Sequence, residues 1–249
     1  MLPVVPDSVL VADRGVPAVR LLTGLQRLGI KAISVHTDED AGALHARIAD
    51  ETVLLGPTVS SYRDARKLVE AAQQVHADAV HPGHAALPGL EAAVAEAGLE
   101  WLGSPVRLGV ELTIGDGVVE ARLATDEDAY VVVPDVAARA AEVVSGLDLV
   151  AASVTGAAEG VARGGVAVSV EVRATELAEV SAWEVPDLAD VWLDPAVAER
   201  SHPVDPLLAV LTVWGADRDA AYALACAAWD QLVIEGPTVP RPEAVGGAS

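Results

Sequence analysis

The first hundred residues alternate short apolar runs with amphipathic stretches, and this rhythm constrains the fold more than any other feature. Ser8 to Ala12 is an apolar run suited to a buried parallel strand. Pro17 follows at a first-turn helical position, where a missing N–H costs nothing. Ala18, Leu21, Leu22, Leu25 and Leu28 then recur at helical spacing, and Gly29 closes the pattern. Lys31 to His36 and Thr52 to Leu55 read as further strands. Ser61 to His76 reads as a helix, Ala77 to His81 as a strand, Gly89 to Gly98 as a helix and Leu99 to Leu102 as a strand. Strand and helix in strict alternation predict a Rossmann-like parallel sheet with helices on both faces.

The pattern changes after residue 104. Gly117 to Ala124 and Ala129 to Val133 are short strand signals joined by Thr125–Asp128, which predicts a hairpin. Ala137 to Ala158 reads as helical with a break near Gly146. Val166, Val168, Val170 and Val172 alternate within Gly165 to Thr175, as on a half-buried strand. Leu207 to Trp214 reads as a strand and Asp217 to Leu232 as a helix. The expectation is an α/β domain over 1–104, a linker over 105–116, an α+β domain over 117–236 and a fraying tail over 237–249, rich in Pro and Gly.

Composition excludes several function classes. A formal net charge of -21 repels nucleic acid and anionic membranes, since phosphate contacts need clustered cations. A single cysteine, Cys226, excludes an intramolecular disulfide and a Cys-based zinc site. Its Ala-rich helical setting suits an inert thiol. Pro3, Pro6 and Asp7 break any leader-like run, and no 18-residue apolar stretch occurs, so a cytoplasmic location is expected.

Several segments together resemble the biotin carboxylase component of acyl-CoA and pyruvate carboxylases. These are VLVADRGVPAVRLLTGLQRLGIKAISVHTDEDAGALHARIADETVLLGP (9–57), ADAVHPG (77–83), GVVEARLATDEDAYVVV (117–133), EVVSGLDLV (142–150), VEVRATE (170–176) and the 205–236 segment, all in the family's order. Each motif is weak alone; the ordered set is specific. The resemblance implies a family N-terminal domain followed by a C-terminal-like domain.

It also implies losses. Where the family carries an ATP-grasp lid, only Pro105 to Asp116 stand here. The two lysines, Lys31 and Lys67, both lie in the first domain, away from any phosphate-binding context. By the resemblance, Glu120 matches a metal-ligand position and Arg173 an arginine near biotin and bicarbonate. Val133 stands at the second metal-ligand position, Asp135 lies near an asparagine position, and Arg139 has no safe assignment to the catalytic arginine. One carboxylate does not hold a catalytic Mg-ATP pair. The expectation is therefore no catalytic, cofactor-binding or metal-binding residue, no cofactor, and only vestigial site positions at Glu120 and Arg173.

Other chemistry is weighed on the residues themselves. His81 and His84 have H-x-x-H spacing, but a zinc site needs further converging ligands, and loop histidines are the preferred reading. Asp13-Arg14-Gly15 ends the first strand, where α/β folds bind ligands; a small anion and a plain Asp–Arg turn are the alternatives, the turn favoured. Asp38/Asp40 and Asp126/Asp128 read as solvated turn pairs. Trp183 and Trp192 lie in a Pro- and Asp-rich segment and suit either a protein interface or satellite-core packing.

The sequence thus predicts a non-catalytic, biotin-carboxylase-like accessory or scaffolding subunit. Its expected partners are a biotin carboxylase, a biotin carrier or a carboxyltransferase. The alternative is an ATP-independent enzyme, or a module binding a small anion or biotin, using Arg14, Glu120 and Arg173. It requires that Glu120 and Arg173 converge on one cleft.

Overall fold

A computed structural model describes residues 5–84, 87–103, 106, 109–124, 137–156 and 160–245. The chain divides into two compact units, one formed by residues 1–105 and 150–157, the other by 106–149 and 158–249.

The first unit is a five-stranded parallel sheet in the order β3-β2-β1-β4-β5. Its strands are β1 (Ser8–Val11), β2 (Lys31–Thr37), β3 (Glu51–Gly56), β4 (Ala79–His81) and β5 (Glu100–Trp101). Its helices are α1 (Gly15–Arg27), α2 (Leu44–Ile48), α3 (Ala65–Gln74) and α4 (Leu90–Glu96), with α6 (Leu149–Thr155) arriving from later in the chain. Side chains alternate across β1, so Leu10 joins a core with Leu68 of α3 and Val94 of α4. Val9 and Val11 join the opposite core with Leu22 and Leu25 of α1 and Val150 and Val154 of α6. The run read as one helix over 61–76 is divided: Val59–Arg63 is a 3-10 turn, and Asp64 then caps α3 by accepting from the backbone N–H of Arg66 and Lys67.

The second unit is a five-stranded antiparallel sheet in the order β10-β11-β8-β7-β6. Its strands are β6 (Val110–Gly115), β7 (Val118–Leu123), β8 (Val166–Arg173), β10 (Val191–Pro195) and β11 (Leu207–Gly215). A second, two-stranded sheet pairs β9 (Ala182–Glu184) with β12 (Val233–Glu235). Helix α7 (Arg218–Gln231) sets Ala221, Ala225 and Ala228 against Val166, Val168, Val170 and Val172. Helix α5 (Ala138–Ser145) sets Ala140, Ala141 and Val144 against Ala121 and Ala167 on the other face. The central strand β8 is therefore buried on both sides from Val166 to Val170, where sequence alternation predicted a half-buried strand, and only Glu171 and Arg173 emerge at its end. Small Ala and Ser residues at its alternate positions gave the appearance of a polar face.

Two expectations are corrected. Six residues of the segment read as a linker form the edge strand β6, which joins β7 in a hairpin around Asp116–Gly117, with Gly117 at a left-handed φ of 70°. The strand expected at Ala129 to Val133 and its turn at Thr125–Asp128 lie outside the described residues. Residues 237–245 of the tail are not free. Thr238 bridges to Glu176, and Val245 is fully buried against α7.

Candidate functional site

In the first unit, polar side chains gather at the carboxyl ends of β1, β2 and β4, the edge at which open α/β sheets bind ligands. Asp40, just past β2, is 1% exposed. Its Oδ1 accepts from the Thr37 N–H (2.6 Å) and hydroxyl (2.7 Å). Its Oδ2 lies 3.0 Å from the Tyr62 hydroxyl, 3.6 Å from Arg14 Nε and 3.7 Å from His45 Nε2. The Tyr62 oxygen also lies 3.2 Å from His45 Nε2 and 3.0 Å from the Val35 carbonyl. Burial and then the Asp40 charge push the Tyr62 hydroxyl well above its ordinary range, so it stays a neutral donor. Burial pulls His45 down to about 4 against the opposing Asp40 charge, with the Arg14 charge adding to the fall. His45 Nδ1 is buried without a hydrogen-bond partner among the described residues.

Asp13 and Asp40 thus hold different groups. Asp13 Oδ1 accepts from the Arg14 backbone N–H (2.8 Å), while the Arg14 side chain goes to Asp40. Asp13 Oδ2 takes the His84 N–H (2.9 Å) and lies 2.8 Å from His84 Nδ1. His81 Nδ1 instead accepts from the Gly83 N–H (3.0 Å), and burial lowers its pKa to about 4 despite the Asp13 charge. The two histidines of the H-x-x-H pair share none of these hydrogen-bond partners. No cluster of three or more His, Cys, Asp or Glu suited to a metal occurs among the described residues. The reading of Asp40 as a solvated turn residue is corrected: a Thr-x-x-Asp spacing at a strand end, Thr37 to Asp40, was the available signal for a buried carboxylate accepting from the strand terminus.

In the second unit, Glu120 of β7 is 5% exposed and fully engaged. Arg122 donates to Oε1, and Arg218 at the start of α7 donates to Oε2 at 2.8 Å. Burial would raise this carboxyl, but the hydrogen bonds and charges of Arg218 and Arg122 outweigh it and the net shift is downward. Arg173, at the end of β8, is bound by Glu171 at 2.7 Å. Glu120 pairs in register with Val168, on the α7 face, whereas Arg173 lies five residues further along β8 and on the opposite face. That separation is about 17 Å along the strand. Glu120 and Arg173 thus lie on opposite faces of the sheet and do not converge. Register also places Glu120 on the second strand of the hairpin, and Glu111 on the first, opposite Arg122.

Arg139 is likewise committed. Its guanidinium makes two hydrogen bonds to buried Asp194 of β10, at 2.6 and 3.1 Å, and meets Glu142 at 3.2 Å. Val133 and Asp135 lie outside the described residues, as do Asp126 and Asp128. Trp183 of β9 packs half-buried against the α7 core, and Trp192 of β10 is half-buried. No local pattern pointed to Arg218, which lies 98 residues from Glu120 in the chain, whereas Arg122 lies two residues along the same strand.

Among the described residues, the donor set does not fit a Mg-nucleotide. Magnesium is held by open carboxylate oxygens and substrate phosphates, and both oxygens of Glu120 carry an arginine. The second unit contains no lysine to clamp a phosphate.

Residues 5–108 match the family described as biotin carboxylase, N-terminal domain. The chain is 35% identical over 124 residues to the propionyl-CoA carboxylase alpha chain of Caenorhabditis elegans, covering 48% of this chain and 17% of the relative. It is 40% identical over 80 residues to the biotin carboxylase of Haemophilus influenzae, covering 31% and 18%. The matches thus span less than a fifth of these relatives' lengths. Among solved structures, the fold resembles Kluyveromyces lactis urea carboxylase (TM-score 0.78, 19% identity, 94% of this chain and 30% of that one). It also resembles Campylobacter jejuni biotin carboxylase (TM-score 0.74, 16% identity, 94% and 93%). Residues 5–108 thus match a biotin carboxylase N-terminal domain, and the fold of the chain, a parallel sheet followed by an antiparallel one, is similar to that of biotin carboxylases.

Proposed function

We propose that the chain is a non-catalytic biotin carboxylase relative that serves as an accessory or scaffolding subunit of a biotin-dependent acyl-CoA carboxylase. The observation that carries this reading is the closure of Glu120 between Arg122 and Arg218. A carboxylate held this way is a structural ion pair and not an open metal ligand. The connection from β5 to β6 is only residues 102–109, too short for a nucleotide lid. The partners are a biotin carboxylase, a biotin carrier or a carboxyltransferase, met in the cytoplasm, with the half-buried Trp183 and Trp192 as candidate contact residues.

Two measurements test the two halves of the proposal. Calorimetry with Mg-ATP reads the missing nucleotide site. A charge-assisted phosphate contact contributes about 1.5–3 kcal/mol, and a millimolar affinity is worth only about 4 kcal/mol. Loss of several contacts therefore abolishes saturable binding below about 1 mM, and saturation in that range refutes the non-catalytic reading. Affinity purification from the native source reads the assembly. Co-purification of a carboxylase component supports it, and repeated recovery without one refutes it.

A further inference from the structure

The two edges of the antiparallel sheet are guarded differently. The β10 edge ends at Pro195, and its Asp194 is turned inward to Arg139. Edge proline and inward-pointing charge both stop a strand from pairing with another chain. The β6 edge has neither. Val110–Gly115 contains no proline and no lysine, and no bulge breaks its register with β7. Its six residues offer about 20 Å of edge.

Register fixes which backbone groups face outward. The two-residue turn Asp116–Gly117 makes Gly115 and Val118 a hydrogen-bonded pair, and such pairs alternate along an antiparallel ladder. Glu111 and Thr113 therefore give their N–H and carbonyl groups to β7, and the bond from the Ala124 N–H to the Gly109 carbonyl (2.8 Å) continues the same phase. Val110, Leu112 and Ile114 turn theirs away from β7. Among the described residues, no backbone hydrogen bond meets them there. Their side chains share one face: Val110 is buried with Ala140 and Ala141 of α5, Leu112 packs half-buried beside it, and Ile114 is 63% exposed.

We infer that β6 pairs antiparallel with β6 of a second copy of this chain, about a two-fold axis at Leu112. A two-fold contact uses the same patch on both chains, and this strand complements itself when reversed. Leu112 meets the copy's Leu112, and Val110 meets the copy's Ile114, so apolar residues face one another and Ile114 is covered. On the other face, Glu111 falls opposite the copy's Thr113, and no carboxylate stands directly against another. An axis at Glu111 would oppose two carboxylates, and an axis at Thr113 would draw the turn residue Asp116 into the ladder. The formal net charge of -21 on each copy opposes association. That repulsion is screened beyond about 8 Å at physiological salt, so the dimer tightens as sodium chloride rises.

Sedimentation velocity of the intact chain over a concentration series reads the pairing, with far-UV circular dichroism as the folding control. The native protein is expected to move from its 25.5 kDa monomer towards twice that mass as concentration and sodium chloride rise. Ile114→Pro removes an outward N–H without touching the bonds to β7. Thr113→Glu, at an exposed position, sets a like charge against the copy's Glu111 at both ends of the contact. Each variant is expected to weaken association by about tenfold or more with unchanged dichroism. A native chain that stays monomeric throughout overturns the proposal. So does a dimer that either folded variant leaves intact. If Ile114→Pro loses dichroism, Thr113→Glu decides alone.

Discussion

Arg218 Nε donates to Glu120 Oε2 at 2.8 Å across 98 residues of chain, tying the first turn of α7 to the β7 strand beneath it. Arg122 takes the other oxygen from the same strand. The pair turns a position that resembles a metal ligand into a clasp between helix and sheet.

Glu120→Gln is expected to lower stability by about 1–2 kcal/mol, less than a fully buried pair would, because both arginines are about half exposed and screened. The Glu120 carboxyl titrates below its unfolded value. Its contribution is therefore present above the unfolded carboxylate range and lost as pH falls through the folded value. Urea midpoints between pH 7 and pH 3 should converge for the native chain and Glu120→Gln; parallel curves would count against the clasp.

His45 and His81 give a separate acid dependence. Each has a folded pKa of about 4, below its unfolded value. Between about 6.5 and 4 only the unfolded chain takes up the proton, so stability falls as pH drops through that window. The expected loss is about 2 kcal/mol per ring between pH 7 and pH 5. His45→Gln should flatten this slope by about half, as read from denaturation midpoints at the two pH values.

Arg139→Ala is expected to cost about 2 kcal/mol, since it strips a two-bond partner from buried Asp194. Arg139→Ala/Asp194→Ala should cost less than the two single losses added together. A double-mutant cycle from chemical denaturation measures this, and strict additivity would deny the coupling.

Gly24 of α1 lies against Val150 of α6, and an added Cβ would stand 2.7 Å from Val150 Cγ1 and 2.9 Å from its Cβ. Alanine favours a helix over glycine by up to about 1 kcal/mol. Crowding against a β-branched stem costs about 1–3 kcal/mol. Gly24→Ala should therefore destabilise on balance, and Val150→Ala in the same chain should recover part of the loss in thermal melts.

The sequence by itself determined the parallel unit. Strand and helix signals from Ser8 to Leu102 fall on β1 to β5 because the apolar period is a local property of each run. Local signals also located β8, β11, α7 and the break at Gly146. Short strands carried too little pattern: β9, β10 and β12 went unread, and β6 was read as linker because Glu111 and Thr113 make it look polar. Only the tertiary structure decided what each polar residue does. Asp40 looks like a turn carboxylate until Thr37, Tyr62, Arg14 and His45 close on it. Glu120 looks like a metal ligand until Arg218 arrives from α7. Periodicity is written in neighbouring residues, whereas burial and ion pairing depend on partners distant in the chain, which only the folded chain brings together.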